Sequence, residues 1–408
     1  RLLYVKAGGS ADVAADVTLT RGRATDLTGT ANPAAIGGQA VWNAGEITFA
    51  GSLENNITAS NYYGAIYNAG GGKFIMTETG RIADVQVFSY GAVYNEGEFT
   101  MDGGVITGTS RMANAAFAQA KAVYNVGTFI MKEGSAITEN EGTGSTVYNS
   151  GSFQMKGGEI SDNINSDATG NSEGTVYMAG GSFTMTGGSI SGNQVITKGG
   201  GICIAGGVVT IDGADAKITD NQAVNNTSLP SANTSVGGGI YMYGGELNLL
   251  QGSVDNNEAY YCGQVASEKQ SRLNLVSCKN GVLSLETAQG NERDETCYGL
   301  GGGIFVDSGT LNLGDGAVVS GNYSPLEYAS GIFVAEDRIR EVEETASQIS
   351  LGGNAQVTDA IWLDSGKSIQ ITEALGADVS YTVYQQERDF RLAENGGNPA
   401  AVYKDDSM

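Results

Sequence analysis

The amino-acid sequence predicts an all-β fold: a single-stranded right-handed parallel β-helix (solenoid) of about eleven coils with capping segments. Three observations lead to this prediction. A small–aliphatic–aromatic triplet recurs along the chain, three short apolar pieces make up each repeat, and 62 glycines punctuate the pattern. Repeats with a period of about 20 to 50 residues are typical of solenoids, in which no unit buries its apolar face alone and stacking completes the core.

The triplet marks one equivalent position in every coil. Most copies are 24 to 30 residues apart, and the largest gap, from Tyr241 to Phe305, is 64 residues. The eleven copies are Ala40-Val41-Trp42, Ala65-Ile66-Tyr67, Ala92-Val93-Tyr94, Ala122-Val123-Tyr124, Thr146-Val147-Tyr148, Thr175-Val176-Tyr177, Gly201-Ile202-Cys203, Gly239-Ile240-Tyr241, Gly303-Ile304-Phe305, Gly331-Ile332-Phe333 and Ala360-Ile361-Trp362. With strands about 4.8 Å apart, eleven coils make a rod on the order of 50 Å long. The right-handed sense is the usual one for parallel crossovers.

Each coil carries three short pieces, as in "AVYN", "EFTM" and "GVIT" of residues 92–107. The pieces alternate with a period of two and are too short for helices. Alternation therefore predicts which side chains point into the core. They are Val93, Phe99, Met101 and Ile106, then Val147, Phe153, Met155 and Ile160, then Val176, Phe183, Met185 and Ile190. Glycine pairs such as Gly103-Gly104 and Gly157-Gly158 suit corners that need a positive φ or a close backbone approach.

The repeat divides the chain into three segments. Residues 1–35 carry a weaker form of the pattern and are expected to cap the core or form its first coil, and residues 36–372 hold the repeats, with an insertion at 258–300. Residues 373–408 are expected to close the array, because an open solenoid end is an exposed sheet edge. Both ends of the chain are expected to be boundaries within a longer protein, and the chain is expected to be monomeric.

Two sets of asparagines recur at fixed positions. Five follow the aromatic residue in consecutive coils: Asn43, Asn68, Asn95, Asn125 and Asn149. At strand spacing their amides are expected to form a structural hydrogen-bonded ladder, and a polar binding track is the alternative. The second set ends the third piece and is interpreted as turn residues: Asn140, Asn163, Asn193, Asn221, Asn257 and Asn322.

The aromatic member of the triplet predicts the candidate site. If Val93 points inward, its neighbour Tyr94 must point outward, because adjacent strand residues alternate faces. The predicted outward stripe consists of Trp42, Tyr67, Tyr94, Tyr124, Tyr148, Tyr177 and Tyr241, prolonged by Phe305, Phe333 and Trp362. One interpretation is a stacked ladder that stiffens the sheet. The other is a binding platform for sugar rings or a partner protein, which requires the rings to be accessible.

Composition argues against several other functions. The chain has 22 Lys and Arg against 45 Asp and Glu, so its net charge is −23, and it has no histidine. Clustered cations are needed to bind nucleic acid or an anionic membrane, so neither partner is expected. No apolar run is long enough for a membrane span. Without histidine or a calcium-loop motif, no metal, no cofactor and no catalytic residue are predicted.

Four cysteines are present: Cys203, Cys262, Cys278 and Cys297. None is in a CxxC pair, so a zinc site is not expected. An even number in a chain expected to be extracellular allows one or two disulfides, with three pairings of all four open, and free thiols are the alternative. A bridge within the segment Cys262–Cys297 would hold the long insertion. Cys203 lies in the outward aromatic column, so it could be free or could tie that insertion to the body of the helix.

With these motifs in view, the chain resembles the right-handed β-helix repeat proteins of bacterial surfaces. The resemblance rests on "GGGIY" (237–241), "SGSFQMKGGEISDN" (150–163) and "GGSFTMTGGSISGN" (180–193). Such repeats look like those of large adhesin-like surface proteins of gut bacteria and are loosely similar to the repeats of polymorphic outer-membrane proteins. The closing "DAIWLDSGKSIQITEALGADVSYTV" (359–383) is similar to the segment that often ends such arrays. The resemblance covers about residues 36 to 385 and implies a secreted or surface-anchored protein.

The resulting functional hypothesis is a non-catalytic, extracellular or cell-surface bacterial module. It would bind a glycan or a protein on a host or neighbouring cell through the aromatic stripe and the loops between coils. The first alternative is a polysaccharide-degrading β-helix enzyme, either a lyase or a glycoside hydrolase. Such enzymes need clustered carboxylates or a base beside bound calcium, and the sequence shows no matching motif. A purely structural stalk is the second alternative.

Overall fold

A computed structural model of the chain describes residues 2–21, 40–58, 64–112, 119–166, 174–225, 235–262, 297–324, 329–335, 348–364, 367–376, 379–385 and 393–395. Strands of successive coils stack in register along four faces of a right-handed parallel β-helix, which confirms the predicted fold class. Among the described strands every pairing is parallel except one, between residues 261–262 and 297–298. The first three faces supply most of the hydrophobic core, and Val87 of the fourth face joins it.

The first face begins each coil and carries the triplet. Its strands are β1 (Leu3–Val5), β4 (Val41–Asn43), β7 (Ile66–Asn68), β10 (Val93–Asn95), β13 (Ala120–Asn125), β17 (Ser145–Asn149), β21 (Val176–Met178), β25 (Ile202–Ile204), the start of β28 (Ile240–Asp255), the start of β31 (Ile304–Ser320), β32 (Ile332–Val334), β35 (Ile361–Leu363) and β37 (Val383–Gln385). Each strand pairs in register with the one of the next coil, as Val93 does with Val123.

The second and third faces follow. The second face consists of β2 (Ser10–Val13), β5 (Glu46–Phe49), β8 (Lys73–Ala83), β11 (Glu98–Thr107), β14 (Thr128–Met131), β18 (Ser152–Met155), β22 (Ser182–Met185), β26 (Val208–Thr219), β33 (Gln348–Leu351), β36 (Ile369–Ile371) and β38 (Ala393–Asn395), with the middle of β28 and β31. The third face consists of β3 (Thr18–Thr20), β6 (Ser52–Glu54), β15 (Ser135–Thr138), β19 (Glu159–Ser161), β23 (Ser189–Ser191) and β34 (Gln356–Val357), with the ends of β8, β11, β26, β28 and β31.

A fourth, short face follows the third and was not predicted. Its eight strands are β9 (Gln86–Val87), β12 (Ser110–Arg111), β16 (Glu141–Gly142), β20 (Ile164–Asn165), β24 (Gln194–Val195), β27 (Gln222–Asn225), β29 (Glu258–Cys262) and β30 (Cys297–Tyr298). Most of these strands are two residues long, which is too short to show alternation in the sequence. Residues 258–262 thus belong to a coil, and the long insertion leaves the fourth face after them.

The core is formed by stacked columns of identical residue types. Phe49, Phe74, Phe99, Phe129, Phe153 and Phe183 stack from coil to coil, with ring centroids 4.4 to 5.6 Å apart. A methionine column runs beside them, as Met101 pairs with Met131 and Met131 with Met155. All twelve side chains that alternation placed inside are fully buried, which confirms the predicted inward set.

Glycines occupy corners at which a side chain would strain or collide with the coil below. Gly158 has a φ of +80°, in the region that side chains disfavour. Gly97 has no such φ, but a Cβ there would come within 2.2 Å of the carbonyl oxygen of Gly72. Both requirements predicted for the corners therefore occur, and they coincide at Gly158, where a Cβ would also lie 2.5 Å from the Ser135 carbonyl oxygen.

The helix extends beyond the eleven triplets at each end. Strands β1, β2 and β3 pair with β4, β5 and β6 and form a complete coil within residues 3–20. At the other end β37 pairs with β35 and β38 with β36, so the sheets continue into residues 373–408. The triplet Thr382-Val383-Tyr384 of β37 follows the repeat pattern, so this coil was detectable from the sequence.

Candidate functional site: the aromatic stripe

The first face aligns the predicted aromatic residues in one column. Register pairs join Trp42 to Tyr67, Tyr67 to Tyr94, Tyr94 to Tyr124, Tyr124 to Tyr148 and Tyr148 to Tyr177. Cys203 occupies the next position and Tyr241 the one after it. Phe305, Phe333 and Trp362 follow in the column, and the register extends it to Tyr4 beside Trp42 and to Tyr384 beside Trp362, two positions outside the predicted stripe. We call residues Trp42 to Tyr177 of this column the N-terminal stripe and residues Tyr241 to Trp362 the C-terminal stripe.

The rings of the stripe stack on one another. The Tyr124 and Tyr148 centroids are 4.4 Å apart with the planes inclined by 3°, and the Tyr94 and Tyr124 centroids are 5.0 Å apart with a 10° inclination. In the C-terminal stripe, Phe305 and Phe333 stack at 5.0 Å and 4°. A neighbouring ring thus covers each face of an internal ring. The surface offered to a ligand therefore consists of ring edges and hydroxyl groups rather than flat ring faces.

Exposure differs between the two halves of the column. Trp42, Tyr67, Tyr124, Tyr148 and Tyr177 are half-buried, so their outer edges are accessible. Two predicted binding residues are buried, however: Tyr94 is 9% exposed and Tyr241 is 3% exposed. For these two residues the expectation of accessibility was wrong. The ring of Tyr90 lies edge-on against both Tyr94 and Tyr124, at centroid distances of 5.6 and 5.2 Å, which explains the burial of Tyr94.

A second hydrophobic cluster covers the C-terminal stripe. It consists of Cys203, Val236, Tyr241, Phe305, Ala329, Phe333 and Ala335, with Tyr177, Tyr243, Leu300 and Trp362 packed against it. Val236 and Ala329 come from the segments that lead into the first-face strands. The ammonium of Lys198 lies 4.9 Å from the centroid of the Tyr241 ring, a cation–π contact that adds to the cover. Most of the accessible rings therefore lie in the N-terminal stripe, whereas in the C-terminal stripe Tyr241, Phe305 and Phe333 are buried and Trp362 is half-buried.

Several hydroxyl groups of the column have defined partners. The Tyr67 hydroxyl donates to Glu96 Oε2 at 2.6 Å, the Tyr177 and Tyr243 hydroxyls are 2.8 Å apart, and the Tyr241 hydroxyl donates to Asp307 at 3.0 Å. Burial, together with the neighbouring Tyr148 hydroxyl, raises the pKa of Tyr124. Tyr124 is therefore a neutral phenol at physiological pH, able both to donate and to accept a hydrogen bond.

The first asparagine set forms an amide ladder inside the protein. The Nδ2 of each residue donates to the Oδ1 of the next, at 2.8 Å from Asn43 to Asn68, 2.7 Å from Asn68 to Asn95, 2.7 Å from Asn95 to Asn125 and 2.6 Å from Asn125 to Asn149. All five side chains are fully buried. They support the strand that carries the aromatic residues and offer no surface to a ligand.

The second asparagine set forms another ladder, which the turn interpretation missed. The amides run from Asn140 through Asn163, Asn193, Asn221 and Asn257 to Asn322 at 2.8 to 3.0 Å, and Asn322 donates to Asp359 at 2.9 Å. The residue before several of these asparagines is left-handed, as at Asp162 with a φ of 54°. The available signal was the recurrence of Asn at the end of the third face in six coils, each time directly after a Gly, Asp, Asn or Glu.

An open groove lies at the corner between the second and third faces of the last coils. Its volume is about 810 Å³, and its lining includes Asn312, Asp315, Ser350 and Asn354. These side chains already bond to one another: Ser350 donates to Asn312 at 2.6 Å, and Asn354 Nδ2 donates to Asp315 at 3.2 Å. We therefore interpret the groove as part of the corner structure and take the N-terminal stripe as the candidate site.

The structure also locates three of the four cysteines and bears on the predictions about metal sites and membrane spans. Cys203 is fully buried in the stripe, Cys262 and Cys297 lie in β29 and β30, and Cys278 lies outside the described residues. Over the residues that the structure describes, no group of three or more Cys, Asp or Glu is arranged to hold a metal ion. The same part of the chain contains no helix long and apolar enough to cross a membrane. Comparisons with protein-family models, curated proteins and solved structures found no match for this chain.

Proposed function

We propose that this chain is a non-catalytic, adhesin-like β-helix module of a bacterial surface or secreted protein, which binds a glycan or a protein through the N-terminal stripe. The observation that carries the proposal is the column of stacked aromatic rings in the N-terminal stripe, in which every ring except that of Tyr94 is half-buried. The spacing of about 4.8 Å presents a row of equivalent hydroxyl and C–H edges to an elongated ligand. Such a row is apolar at the ring and polar at the hydroxyl, as binding surfaces rich in tyrosine usually are.

Stacking defines how this surface would recognise a ligand. Because the ring faces are covered, a sugar could not lie flat on an internal ring, and the hydroxyl groups would carry most of the specificity. The rings are held by their neighbours before binding, so little side-chain entropy would be lost on association. The net charge of −23 favours a neutral or cationic ligand over an anionic glycan.

The inter-coil segments extend the proposed site. Residues 113–118 and 167–173 each join a fourth-face strand to the next first-face strand, and residues 59–63 lie between β6 and β7. Their lengths and compositions differ from coil to coil, whereas the strands repeat. Variable segments on a rigid scaffold are where binding specificity usually lies. We propose that the stripe provides a common contact row and that these segments select the ligand.

The test is a glycan-array screen in which two triple variants accompany the parent. Tyr67→Phe/Tyr124→Phe/Tyr148→Phe keeps the stack and removes three hydroxyl groups, while the corresponding triple alanine variant removes the rings. If each hydroxyl contributes about 0.5 to 1.5 kcal/mol, the phenylalanine variant should lose at least about tenfold in affinity. Gln154→Ala/Thr184→Ala, on the outward side of the second face, is the matched control and should bind like the parent.

Each outcome of this screen has a clear meaning. Loss of binding in both triple variants, with the parental circular dichroism retained, supports the proposal. Unchanged binding in both variants contradicts it and moves the site elsewhere. If the parent binds neither the glycan array nor a matched panel of surface proteins, the stalk interpretation replaces it. Cleavage of an arrayed polysaccharide would instead support the lyase or hydrolase alternative.

A further inference from the structure

The long insertion of residues 263–296 is attached to the helix through a short hairpin. Its two stems are β29 and β30, which form an antiparallel pair, whereas the other strand pairings described for this chain are parallel. The register sets Tyr261 opposite Tyr298 and Cys262 opposite Cys297. The last residue of one stem and the first residue of the other are thus both cysteines, directly opposed at the base of the insertion.

This backbone register satisfies the main geometric condition for a disulfide. Directly opposed residues of an antiparallel pair have Cα atoms about 4.5 Å or about 5.5 Å apart, depending on whether they exchange hydrogen bonds. A disulfide requires Cα atoms about 4.4 to 6.8 Å apart. Either type of pair therefore lies within the permitted range, and no backbone movement is needed to bring the two positions together.

The register is held by contacts outside the cysteines. On one stem, β29 pairs in parallel with β27, so that Ala259 lies beside Ala223. After the other stem, the Leu300 amide donates to the Ser235 carbonyl at 3.1 Å. Gly299, directly after β30, approaches β29 so closely that a Cβ would lie 2.0 Å from the Ala259 carbonyl oxygen. Both strands are fixed by the coils on either side, which places the cysteine positions opposite each other.

We propose that Cys262 and Cys297 form a disulfide that closes the insertion at its base. In this step the two thiols lose two protons and two electrons as the S–S bond forms. The oxidant is a disulfide-form thiol oxidoreductase or oxidised glutathione, whose own S–S bond is reduced to two thiols. The bond is the pairing that the sequence left open. Cys203 takes no part, because it lies buried in the first-face column and not on the fourth face.

The proposed disulfide lies between the insertion and the segment that helps to cover the C-terminal stripe. The chain leaves β30 through Leu300, which packs on the cluster that covers the C-terminal stripe. A disulfide at the hairpin would keep the two stems together whatever the sequence or binding state of the 34 residues between them. The insertion could then vary in sequence or bind a partner without disturbing the register of the coils around it.

Trypsin separates all four cysteines, so the pairing can be determined directly. Cleavage after Lys and Arg places Cys203 in 199–217, Cys262 in 218–269, Cys278 in 273–279 and Cys297 in 294–338. The full chain is treated with oxidised glutathione, its remaining thiols are alkylated at low pH, and the peptides are analysed by mass spectrometry without reduction. We expect 218–269 linked to 294–338, with alkylated Cys203 and Cys278.

Variants complete the test. Cys262→Ser should abolish the linked species and make Cys297 available for alkylation, whereas the matched control Cys278→Ser should leave the linked peptide at its parental yield. Circular dichroism checks that both variants retain the β-structure. A bond from either peptide to Cys278 or Cys203, or four alkylated thiols after treatment with the oxidant, would overturn the proposal.

Discussion

Replacing Asn95 by methionine should destabilise the helix more than the same replacement at Asn149. Asn95 lies in the middle of the first amide ladder. Its Nδ2 donates to Asn125 Oδ1 at 2.7 Å and to the Thr128 carbonyl at 2.9 Å. Methionine fits this corner, since Met178 occupies the equivalent position two coils beyond Asn125. The substitution therefore removes hydrogen bonds while keeping a side chain of suitable size.

The two variants should differ in free energy of unfolding because they deprive different acceptors of their hydrogen-bond donor. Asn95→Met leaves the fully buried Asn125 Oδ1 without the amide that donates to it, together with the Thr128 carbonyl. An orphaned buried acceptor costs about 1 to 3 kcal/mol, so we expect a loss of about 2 to 4 kcal/mol. Asn149 ends the ladder, and its Nδ2 makes longer contacts, at 3.2 Å to the Ser182 carbonyl and 3.5 Å to the sulfur of Met178. Asn149→Met orphans no side-chain amide oxygen and deprives the Ser182 carbonyl of only a longer contact, so it should cost about 1 kcal/mol.

The measurement is equilibrium unfolding in urea followed by tryptophan fluorescence. The chain has two tryptophans, Trp42 and Trp362, one near each end of the array. Because coils of a solenoid contact mainly their neighbours, the two probes can report separate transitions. We expect the transition of the N-terminal coils to move to lower urea in Asn95→Met and to move less in Asn149→Met. Equal losses in the two variants, or no loss at Asn95, would refute the argument that the continuous ladder stabilises these coils.

Two further predictions concern other buried features. Burial lowers the pKa of the Lys121 ammonium from 10.5 to about 7, and its Nζ donates to the Gly144 carbonyl at 2.6 Å. Between these pKa values the unfolded chain holds a proton that the native protein has lost, so stability should rise by about 2 kcal/mol from pH 7 to pH 9. Lys121→Met should lack this rise in urea titrations, and an identical pH dependence in parent and variant would contradict it. Gly97→Ala would place a Cβ against the Gly72 carbonyl and should cost about 1 to 3 kcal/mol, whereas Gly70→Ala, with no atom within 4 Å of the added Cβ, should change the free energy of unfolding little.

Most of the core was predictable because strand alternation and the repeat give the same answer in every coil. Val93, Phe99 and Met101 were expected inside from a single repeat, and the register pairs them with Val123, Phe129 and Met131 of the next. The triplet also aligned the aromatic residues correctly. Alternation with a period of two indicates the face of the sheet to which each side chain points. The repeat indicates which residues of successive coils are neighbours along the rod.

Accessibility was not predictable in the same way. Alternation directs Tyr148 and Tyr241 to the same side of the first face, yet Tyr241 is buried. The difference comes from Val236 and Ala329, in segments that follow no repeat. The fourth face was missed for a related reason: β9 and β24 contain two residues each, so neither can display a period. Features that depend on irregular segments are absent from the repeating pattern.

The two halves of the stripe are supported in different ways, which bears on the proposed function. From Trp42 to Tyr148 the residue after the aromatic is a ladder asparagine, so Tyr67 and Tyr124 are held from the inner side by hydrogen bonds. In the C-terminal coils that position is apolar, as at Met242, and the stripe is packed from the outside by the second cluster instead. The fold therefore accommodates a covered aromatic column as readily as an open one. Because stacking alone would be satisfied by either arrangement, the open edges of the N-terminal stripe are not required by the architecture, and this favours a binding role for that half of the molecule.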